Sequence, residues 1–418
     1  MMLLMTFKLL HTSDWHLGRM LYGRKRHAEF SRFLDWMLDV IEAEKIDGLV
    51  IAGDIFDTTT PSNSAQGLYY SFLTRVSRTC CRHVVVVGGN HDSASFLNAP
   101  QGLLKSLNVH VFGSCSFDSS DDILLLSDAS GEPELIVGAV PYLRDRDIRT
   151  VEAGENLTDK TTKLAEGIKS HYQKLGVLAL EKRLECGKEV PIVFTGHLFA
   201  AGGESIDGDG VRELYIGTLA RITSEYFPEC LNYLALGHLH VPQVISGHEN
   251  MRYSGSPLPM GFGEATHVKS VCLVEFYGKE PKIRLIDVPR FQSLRQIKGD
   301  LAFIKSELAN LVQAGTSIWV EVIYNGSAIV PNLRELIDAA IDGSPVEVIK
   351  IKNNQIFNAV LSSMEVKESL EDLKPSEVFN RCLLANNVPE DRFSELFALF
   401  ASALEGLYQD EASAGESS

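Results

Sequence analysis

Residues 7–16 read FKLLHTSDWH, a stretch that begins with mainly apolar residues and ends with two polar side chains, Asp14 and His16, on either side of Trp15. A short apolar run that stops at polar residues predicts a buried β-strand. The same form returns in IDGLVIAGD at 46–54 and in HVVVVGGNHD at 83–92. The sequence therefore predicts three strands, each followed at once by side chains suited to chemistry.

Helical patterns separate these three strands. Between the first two, apolar residues repeat with the period of an α-helix at Phe30, Phe33, Leu34, Met37, Leu38 and Ile41. Residues 64–79 are a plausible second helix between the second and third strands. The order β-α-β-α-β predicts a parallel layer of an α/β fold.

The rest of the chain contains three further kinds of predicted segment. ELIVGAV, PIVFTGH and LNYLALGH are predicted strands around a long helix near 160–186, and RYSGS, SVCLVEFY and KIRLIDV are a closing run of strands. A smaller strand-helix-strand-helix-strand pattern follows, then two helices and a polar tail. The predicted segments are a first domain at 1–288, a small α/β domain at 289–362, a helical segment at 363–408 and a disordered tail at 409–418.

The charge of the chain does not decide between partner classes. The 418 residues carry a net charge of −16, which alone argues against binding nucleic acid. Eleven acidic and three basic residues lie from Glu368 onward, so half of that charge belongs to the C-terminal segment. The remaining chain is only weakly acidic for its length, and 45% hydrophobic residues overall suffice for sizeable cores.

Compartment signals favour the cytoplasm. No apolar run reaches the roughly 18 residues of a membrane span. The apolar start lacks a basic region and a cleavage site, so we interpret it as the first strand and not as a signal peptide. Seven cysteines without a C-x-x-C pair indicate free thiols in a reducing cytosol.

Polar residues that can bind a metal ion through an oxygen or an imidazole nitrogen follow five of the predicted strands. In chain order they are Asp14 and His16; Asp54 and Asp57; Asn90, His91 and Asp92; His197; His238 and His240. In an α/β sheet the carboxyl ends of the strands border the crevice where ligands bind, and the glycines beside these motifs allow sharp turns and close approach. Oxygen and imidazole groups without thiolate suit Mn²⁺, Fe²⁺ or Zn²⁺.

The number of candidates is the argument for two ions. Even seven ligands would be too many for one ion with open positions, and they would suit two ions about 3.5–4 Å apart that share a carboxylate, as used for displacement at phosphorus. Taken alone, a D-x-H pair or a strand-end histidine is more often structural. Five such motifs in order, each at a strand end, favour a dinuclear site.

The order D-x-H, G-D-x-x-D, G-N-H-D, G-H and G-H-x-H resembles that of the calcineurin-like metallophosphoesterases. LLHTSDWHLG, AGDIFDT, GNHDS, YIGTL, ALGHLH and YSGSP are similar to the SbcD family, the Mre-type nuclease subunits of bacterial SbcCD complexes. KGDLA, PVEV and SEVFNR extend this resemblance beyond residue 288. It implies a four-layer α/β/β/α sandwich, a capping domain at 289–362 that positions DNA, and a helical segment at 363–408 that binds a partner.

The resemblance also implies a role for each site residue. Asp14, His16 and His240 would bind one metal ion, Asn90, His197 and His238 the other, and Asp54 would bridge them. His91 would assist the leaving oxygen, and the carboxylate of Asp57 would orient His91, with a simple strand-end cap as the alternative role of Asp57. The implied cofactors are two divalent ions, with Mn²⁺ as the expected metal.

Two further groups of residues are candidate contact sites. Arg19, Arg24, Lys25 and Arg26 on a predicted loop would hold a DNA backbone, or would only be a solvated loop. An apolar helical stripe would dock on the SbcC-type ATPase, or would pack on its own small domain; it contains Phe393, Leu396, Phe397, Phe400 and Leu404.

The resemblance implies an enzyme: a nuclease subunit with 3′→5′ exonuclease action on duplex DNA and endonuclease action on single strands and hairpins. The partner ATPase would control it, a homodimer of this chain would sit within a heterotetramer, and the complex would act at the nucleoid in DNA repair, replication and recombination. The alternatives are a phosphatase or cyclic-nucleotide phosphodiesterase on the same site, and an inactive scaffold subunit.

Overall fold

A computed structural model of the chain describes residues 6–148, 157–200, 222–328 and 330–353, and isolated residues or short runs between 376 and 401. The chain divides into two compact units, Met1–Phe291 and Gln292–Ser418. The sequence predicted the first domain to end three residues earlier, at 288.

The first unit contains two six-stranded sheets. In spatial order the first sheet consists of β14 (Glu280–Asp287), β13 (Ser270–Tyr277), β1 (Thr6–Thr12), β4 (Gly48–Ala52), β5 (His83–Val87) and β6 (Val109–Phe112). β1, β4, β5 and β6 run parallel, and β13 and β14 add an antiparallel edge. Because Thr12 lies opposite Ile51 and Ala52 opposite Val87, the first three predicted strands end side by side.

The second sheet has the same number of strands and also a parallel centre. In spatial order it consists of β11 (Gln243–Ile245), β12 (His248–Tyr253), β10 (Tyr233–Gly237), β9 (Ile192–His197), β8 (Pro133–Gly138) and β7 (Ile123–Ser127). β8, β9, β10 and β12 are parallel. His197 lies opposite Gly237, so β9 and β10 also end at one level.

Helices cover the outer face of each sheet. α1 (His27–Glu44) and α2 (Asn63–Val76) pack on the first sheet, and α6 (Leu157–Cys186) packs on the second. Short helices link the strands: α3 (Ala94–Asn98), α4 (Gln101–Lys105) and α5 (Asp145–Ile148). No helix within the described ranges is long and apolar enough to cross a membrane.

Three apolar cores hold these four layers together. The predicted stripe of α1 is buried against the first sheet, including Phe33 and Met37, which have no exposed surface. Val85, Val193 and Tyr233 belong to the core between the two sheets, and α6 contributes to the third core. The predicted α/β/β/α sandwich is therefore confirmed, with strands buried on both faces as parallel strands require.

A short hairpin occupies the segment that the sequence predicted as a basic loop. β2 (Met20–Leu21) pairs with β3 (Arg24–Lys25), and the two central residues Tyr22 and Gly23 have φ of 47° and 82°. Two positive φ values are typical of the type I′ turn that joins two-residue hairpins. Gly23 is a turn signal in the sequence, but strands of two residues are too short to show a periodic pattern. The hairpin was therefore not predicted.

In its described part up to residue 353, the second unit is a three-stranded parallel sheet with two helices. β15 (Ser293–Gly299), β16 (Ile318–Tyr324) and β17 (Val346–Asn353) alternate with α7 (Leu301–Ala314) and α8 (Leu333–Ile341). Residues on both helices and the sheet form its own core, including Ile304, Leu308, Val320 and Ile337. The order of elements is the predicted one.

Candidate dinuclear metal centre

The five polar motifs meet where β1, β4 and β5 of one sheet and β9 and β10 of the other end. The main chain is distorted there, with φ of 54° at Asp14, 48° at His16, 49° at Asp54 and 99° at His238. A non-glycine residue with positive φ costs about 1–3 kcal/mol and persists only where the surrounding structure enforces it. The N–H groups of Asp14 and His16 donate to the carbonyls of Gly53 and Asp54, each at 3.0 Å, and so enforce it here.

Two glycines let the ends of the sheets approach each other. A Cβ atom at Gly53, whose φ is 90°, would collide with the imidazole of His197, and one at Gly237 would collide with the carbonyl of Ala52. The glycines beside the motifs therefore serve the close approach that the sequence suggested.

One group of ligand atoms consists of the side chains of Asp14, His16 and His240. All three residues are buried, and their ligand atoms lie within 4.8 Å of one another. The Nε2 atoms of His16 and His240 are 3.1 Å apart. The carboxylate of Asp14 is fixed by the hydroxyl of Ser13 at 2.5 Å and by the main-chain N–H of His238 at 2.9 Å. Two facing imidazole nitrogens beside a carboxylate suit one divalent ion.

The second group gathers around the side-chain oxygen of Asn90. This Oδ1 lies 3.0 Å from Nε2 of His197 and 3.0 Å from Nδ1 of His238. Oδ2 of Asp54 lies 3.2 Å from Nε2 of His197 and 3.7 Å from Nε2 of His16. Asp54 therefore lies between the two groups, where a bridging ligand belongs.

In each histidine of the first group, and in His197, Nδ1 faces an oxygen of the protein and Nε2 faces the other ligands. Nδ1 of His197 donates to the carbonyl of Ala52 at 2.9 Å. Nδ1 of His16 lies 3.3 Å from Asp57, and Nδ1 of His240 lies 3.6 Å from Glu264. Such contacts fix the tautomer and ring orientation of metal-binding histidines.

The electrostatics of the buried cluster favour a cation. Burial alone would raise the pKa of Asp54, but the imidazoles of His197 and His16 hold it well below its usual value. Burial opposes protonation of His197, yet Asp54 raises its pKa to about 9. Burial and the nearby His197 lower the pKa of His238 to about 3. A divalent ion must displace the His197 proton, so its binding releases a proton.

The structure corrects the predicted contact between His91 and the carboxylate of Asp57. His91 is partly exposed, its main-chain N–H donates to Asp54 Oδ1 at 2.9 Å, and its Nδ1 donates to the main-chain carbonyl of Asp57 at 2.9 Å. The carboxylate of Asp57, which we expected on His91, contacts His16 and Arg19 instead. Asp54, which has a positive φ, lies in the turn that leads to Asp57. The spacing of residues in the sequence could not show whether the main-chain carbonyl or the carboxylate of Asp57 would contact His91.

Glu264 and Lys269 are functional candidates that the sequence did not reveal. Glu264 has no exposed surface; it faces His240 and forms an ion pair with Lys269, whose ammonium group also donates to the carbonyl of His240 at 2.8 Å. Burial would raise the pKa of Glu264, but His240 and Lys269 lower it to about 2. Both residues lie in an irregular segment after YSGSP, where no periodic pattern marks them.

Asp92 has a structural role that its motif did not specify. Its buried carboxylate accepts hydrogen bonds from the main-chain N–H groups of Ile55, Phe56 and Gly89 at 2.9–3.1 Å. It therefore ties the turn after β4 to the turn after β5, which carry Asp54 and Asn90.

The four predicted DNA-contacting residues have different environments. Arg24 and Lys25 are exposed on the hairpin. Arg19 donates to Asp57 at 3.1 Å. Arg26 was predicted to contact DNA at the surface, but the structure buries it. It is 3% exposed, and all three of its guanidinium nitrogens donate to Glu29 or to the carbonyl of Pro259. A basic run in sequence does not show which member turns inward.

The predicted partner-binding stripe is described in part. Phe393, Leu396, Phe397 and Phe400 are helical and half-buried. Phe379 of the preceding segment stacks on Phe400, with ring centroids 4.2 Å apart, and contacts Phe397 edge-on at 5.3 Å. Leu404 and the predicted tail at 409–418 lie outside the described residues.

Comparisons with known proteins agree with this geometry. A model of the family described as calcineurin-like phosphoesterase matches residues 7–249, and one described as type 5 capsule protein repressor C-terminal domain matches residues 290–387. The SbcD subunit of the nuclease SbcCD from Escherichia coli K12 is 35% identical over 403 residues, which cover 96% of this chain and 98% of the relative. Its namesakes in Rhodobacter capsulatus (34% identical, 68% of this chain and 69% of the relative) and Bacillus subtilis (33%, 64% and 66%) are also similar.

The fold and the converging ligands define a calcineurin-like metallophosphoesterase, a class of hydrolase that works with two divalent ions. Within that class, the chain belongs to the SbcD family of nuclease subunits.

Glu264→Gln should weaken binding of the ion held by Asp14, His16 and His240 by about 10–100-fold. Glutamine keeps the size of the side chain but removes the charge that faces Nδ1 of His240. Calorimetric titration of the metal-free chain with Mn²⁺ measures the change.

Glu321→Gln is the matched control for that substitution. Glu321 is also buried and is paired with Lys350 and Lys352, but it belongs to the second unit. Circular dichroism shows whether each variant folds. Wild-type Mn²⁺ affinity in a folded Glu264→Gln chain would contradict the role of Glu264.

Proposed function

We propose that this chain is the nuclease subunit of an SbcCD-type complex and hydrolyses DNA phosphodiester bonds with two Mn²⁺ ions. The observation that supports this most is the position of Asp54 between two groups of ligands, with His91 hydrogen-bonded to the same carboxylate. The names of the relatives support the choice of a nuclease over other phosphoesterases.

The residues fit two divalent ions because six side chains and a shared carboxylate converge without any thiolate. Asp14, His16 and His240 would hold one ion, Asn90, His197 and His238 the other, and Asp54 both. When bound, such ions lower the pKa of a water molecule and offset the charge that develops on the phosphoryl oxygens. Mn²⁺ accepts this mixture of oxygen and imidazole ligands.

His91 is the group that we assign to proton transfer. The carbonyl of Asp57 accepts the hydrogen bond from Nδ1, which leaves Nε2 as the ring atom available to substrate at a partly exposed position. From there His91 would donate a proton to the 3′-oxygen that leaves when the P–O bond breaks. Asp57 has an indirect part: its carbonyl fixes His91 and its carboxylate fixes His16.

The hairpin that follows the first motif would contact DNA. Arg24 and Lys25 expose their charges on β3, and Tyr22 at the turn is 45% exposed and stacks on Phe262. Lysine and arginine bind phosphates without reading sequence, and exposed aromatic rings stack on unpaired bases. These features suit a nuclease that acts on many sequences and on single-stranded segments.

Family membership supports a proposal for the assembly. We propose that the apolar stripe of Phe393, Leu396, Phe397, Phe400 and Leu404 binds the SbcC-type ATPase, that residues 289–362 position DNA, and that two copies of the chain form a homodimer within a heterotetramer. ATP turnover in the partner would control 3′→5′ degradation of duplex ends and cutting of hairpins and single strands. This would serve DNA repair, replication and recombination at the nucleoid in the cytoplasm.

Cleavage of a hairpin DNA with Mn²⁺, by the chain alone and with its cognate SbcC-type ATPase, tests the proposal. We expect cutting that ATP stimulates in the complex. Parallel assays use p-nitrophenyl phosphate and a cyclic nucleotide. Hydrolysis of either with intact DNA would indicate a phosphatase or phosphodiesterase, and no hydrolysis of any substrate would indicate an inactive scaffold.

A further inference from the structure

Another group of side chains that could hold a metal ion lies in the first unit, apart from the ligands described above. It consists of Cys115, in the segment after β6; Asp122, the last residue of the turn before β7; and His171 on α6. One ligand atom from each lies within 4.8 Å of the others, and Cys115 Sγ is 3.9 Å from His171 Nε2.

Within the described part of the chain, no basic side chain forms an ion pair with the carboxylate of Asp122 in this cluster. Asp122 has no exposed surface, and its carboxylate contacts within the described chain are with Ser116, whose main-chain N–H donates at 3.1 and 3.2 Å. Buried carboxylates are usually paired with a cation or bound to a metal, because removing the charge from water is costly. A thiolate and a carboxylate together would match the charge of one divalent ion.

The three elements that carry the ligands are held in place without a metal. Lys174, one helical turn after His171, donates to the hydroxyl of Ser119 at 2.9 Å and ties α6 to the turn before β7. The N–H of Ala139 on the neighbouring chain segment donates to the carbonyl of Asp122 at 2.8 Å. Binding an ion would therefore need little rearrangement. Cys115 and His171 are each partly exposed, which leaves a path for the ion.

We propose that Cys115, Asp122 and His171 bind one zinc-class divalent ion and so fasten α6 to the edge of the second sheet. Sulfur, imidazole and carboxylate together are the donors that Zn²⁺ prefers, and a water molecule would complete a tetrahedron. The thiol gives its proton to solvent when the ion binds, and no electron is transferred. This donor set differs from the dinuclear centre, which has no sulfur.

The electrostatic surroundings of Cys115 disfavour a reactive cysteine as the explanation of the cluster. Burial and the carboxylates of Asp122 and Asp147 raise the pKa of Cys115 to about 12. Without an ion the thiol stays protonated at neutral pH, whereas nucleophilic cysteines have low pKa values. A bound ion reverses this, because a coordinating thiol is deprotonated.

Titration of the full, metal-free chain with Co²⁺ tests the site, because thiolate-to-cobalt charge transfer absorbs in the near ultraviolet and the dinuclear centre has no thiolate. We expect this absorption to report one Co²⁺ per chain in addition to the two that the dinuclear centre binds, and to be displaced by Zn²⁺. It should vanish in Cys115→Ser and persist in Asp54→Asn.

Cys186→Ser is the matched control, because Cys186 is a half-buried cysteine at the end of the same helix. It should keep the absorption. A second measurement, the rate at which Cys115 reacts with a thiol reagent, should fall in wild type when Zn²⁺ is added. No charge-transfer absorption in wild type, or an absorption that survives in Cys115→Ser, would overturn the proposal.

Discussion

Asp54→Asn should reduce metal-dependent hydrolysis by at least about 10³-fold, because several kcal/mol of charge stabilisation depend on ions that this carboxylate helps to bind. Asp54 Oδ2 is near both His16 and His197, so its charge serves both groups of ligands. Asparagine keeps an oxygen that accepts from the N–H of His91 and has nearly the same shape. The loss should therefore come from metal binding and not from the fold.

Metal affinity separates this explanation from a general loss of structure. A residue that only supports a ligand changes metal affinity by about 10–100-fold. For Asp54→Asn, calorimetry with Mn²⁺ should show that the affinity of both sites falls by more than about 100-fold. Asp35→Asn removes a carboxylate that pairs with Arg75 at the surface, and it should change neither affinity nor rate. Two ions bound with wild-type affinity in Asp54→Asn would show that Asp54 does not bridge them.

His91→Gln should lower kcat on DNA by about 10²–10⁴-fold, the usual contribution of a positioned proton donor. Mn²⁺ affinity should stay within a few-fold of wild type, because His91 is not in either ligand group. Glutamine can still donate to the carbonyl of Asp57, so the surrounding turn should keep its conformation.

The leaving group gives the sharper readout for His91. A 3′-oxygen of DNA needs a proton to leave, whereas p-nitrophenolate leaves without one. We therefore expect His91→Gln to hydrolyse bis-p-nitrophenyl phosphate at close to the wild-type rate while DNA cleavage falls. His248→Gln changes an exposed histidine on β12 and should affect neither substrate. Equal losses on both substrates would assign His91 to metal binding or structure.

The sequence was sufficient for the layout of the fold because the relevant signals are local. The apolar stripe of α1 follows the period of a helix, and β4 and β5 are short continuous apolar runs that stop at polar residues. The four-layer arrangement needed the family resemblance, since periodicity does not tell which sheet a strand joins. The hairpin at Met20–Lys25 went unrecognised because two-residue strands have no period.

The same distinction holds for the site. The ligand types of the centre could be predicted from the sequence, because Asp14 and Asn90 follow strands of one sheet, His197 and His238 follow strands of the other, and parallel strands of one sheet end at a common edge. Which atom meets which depends on how the two sheets and their loops pack. The tertiary structure turned the carboxylate of Asp57 to His16, buried Arg26 against Glu29, and brought Glu264 behind His240. The contacts of Asp57 and Glu264 join separate segments of the chain, and Arg26 also donates to the distant carbonyl of Pro259, so no local pattern encodes these contacts.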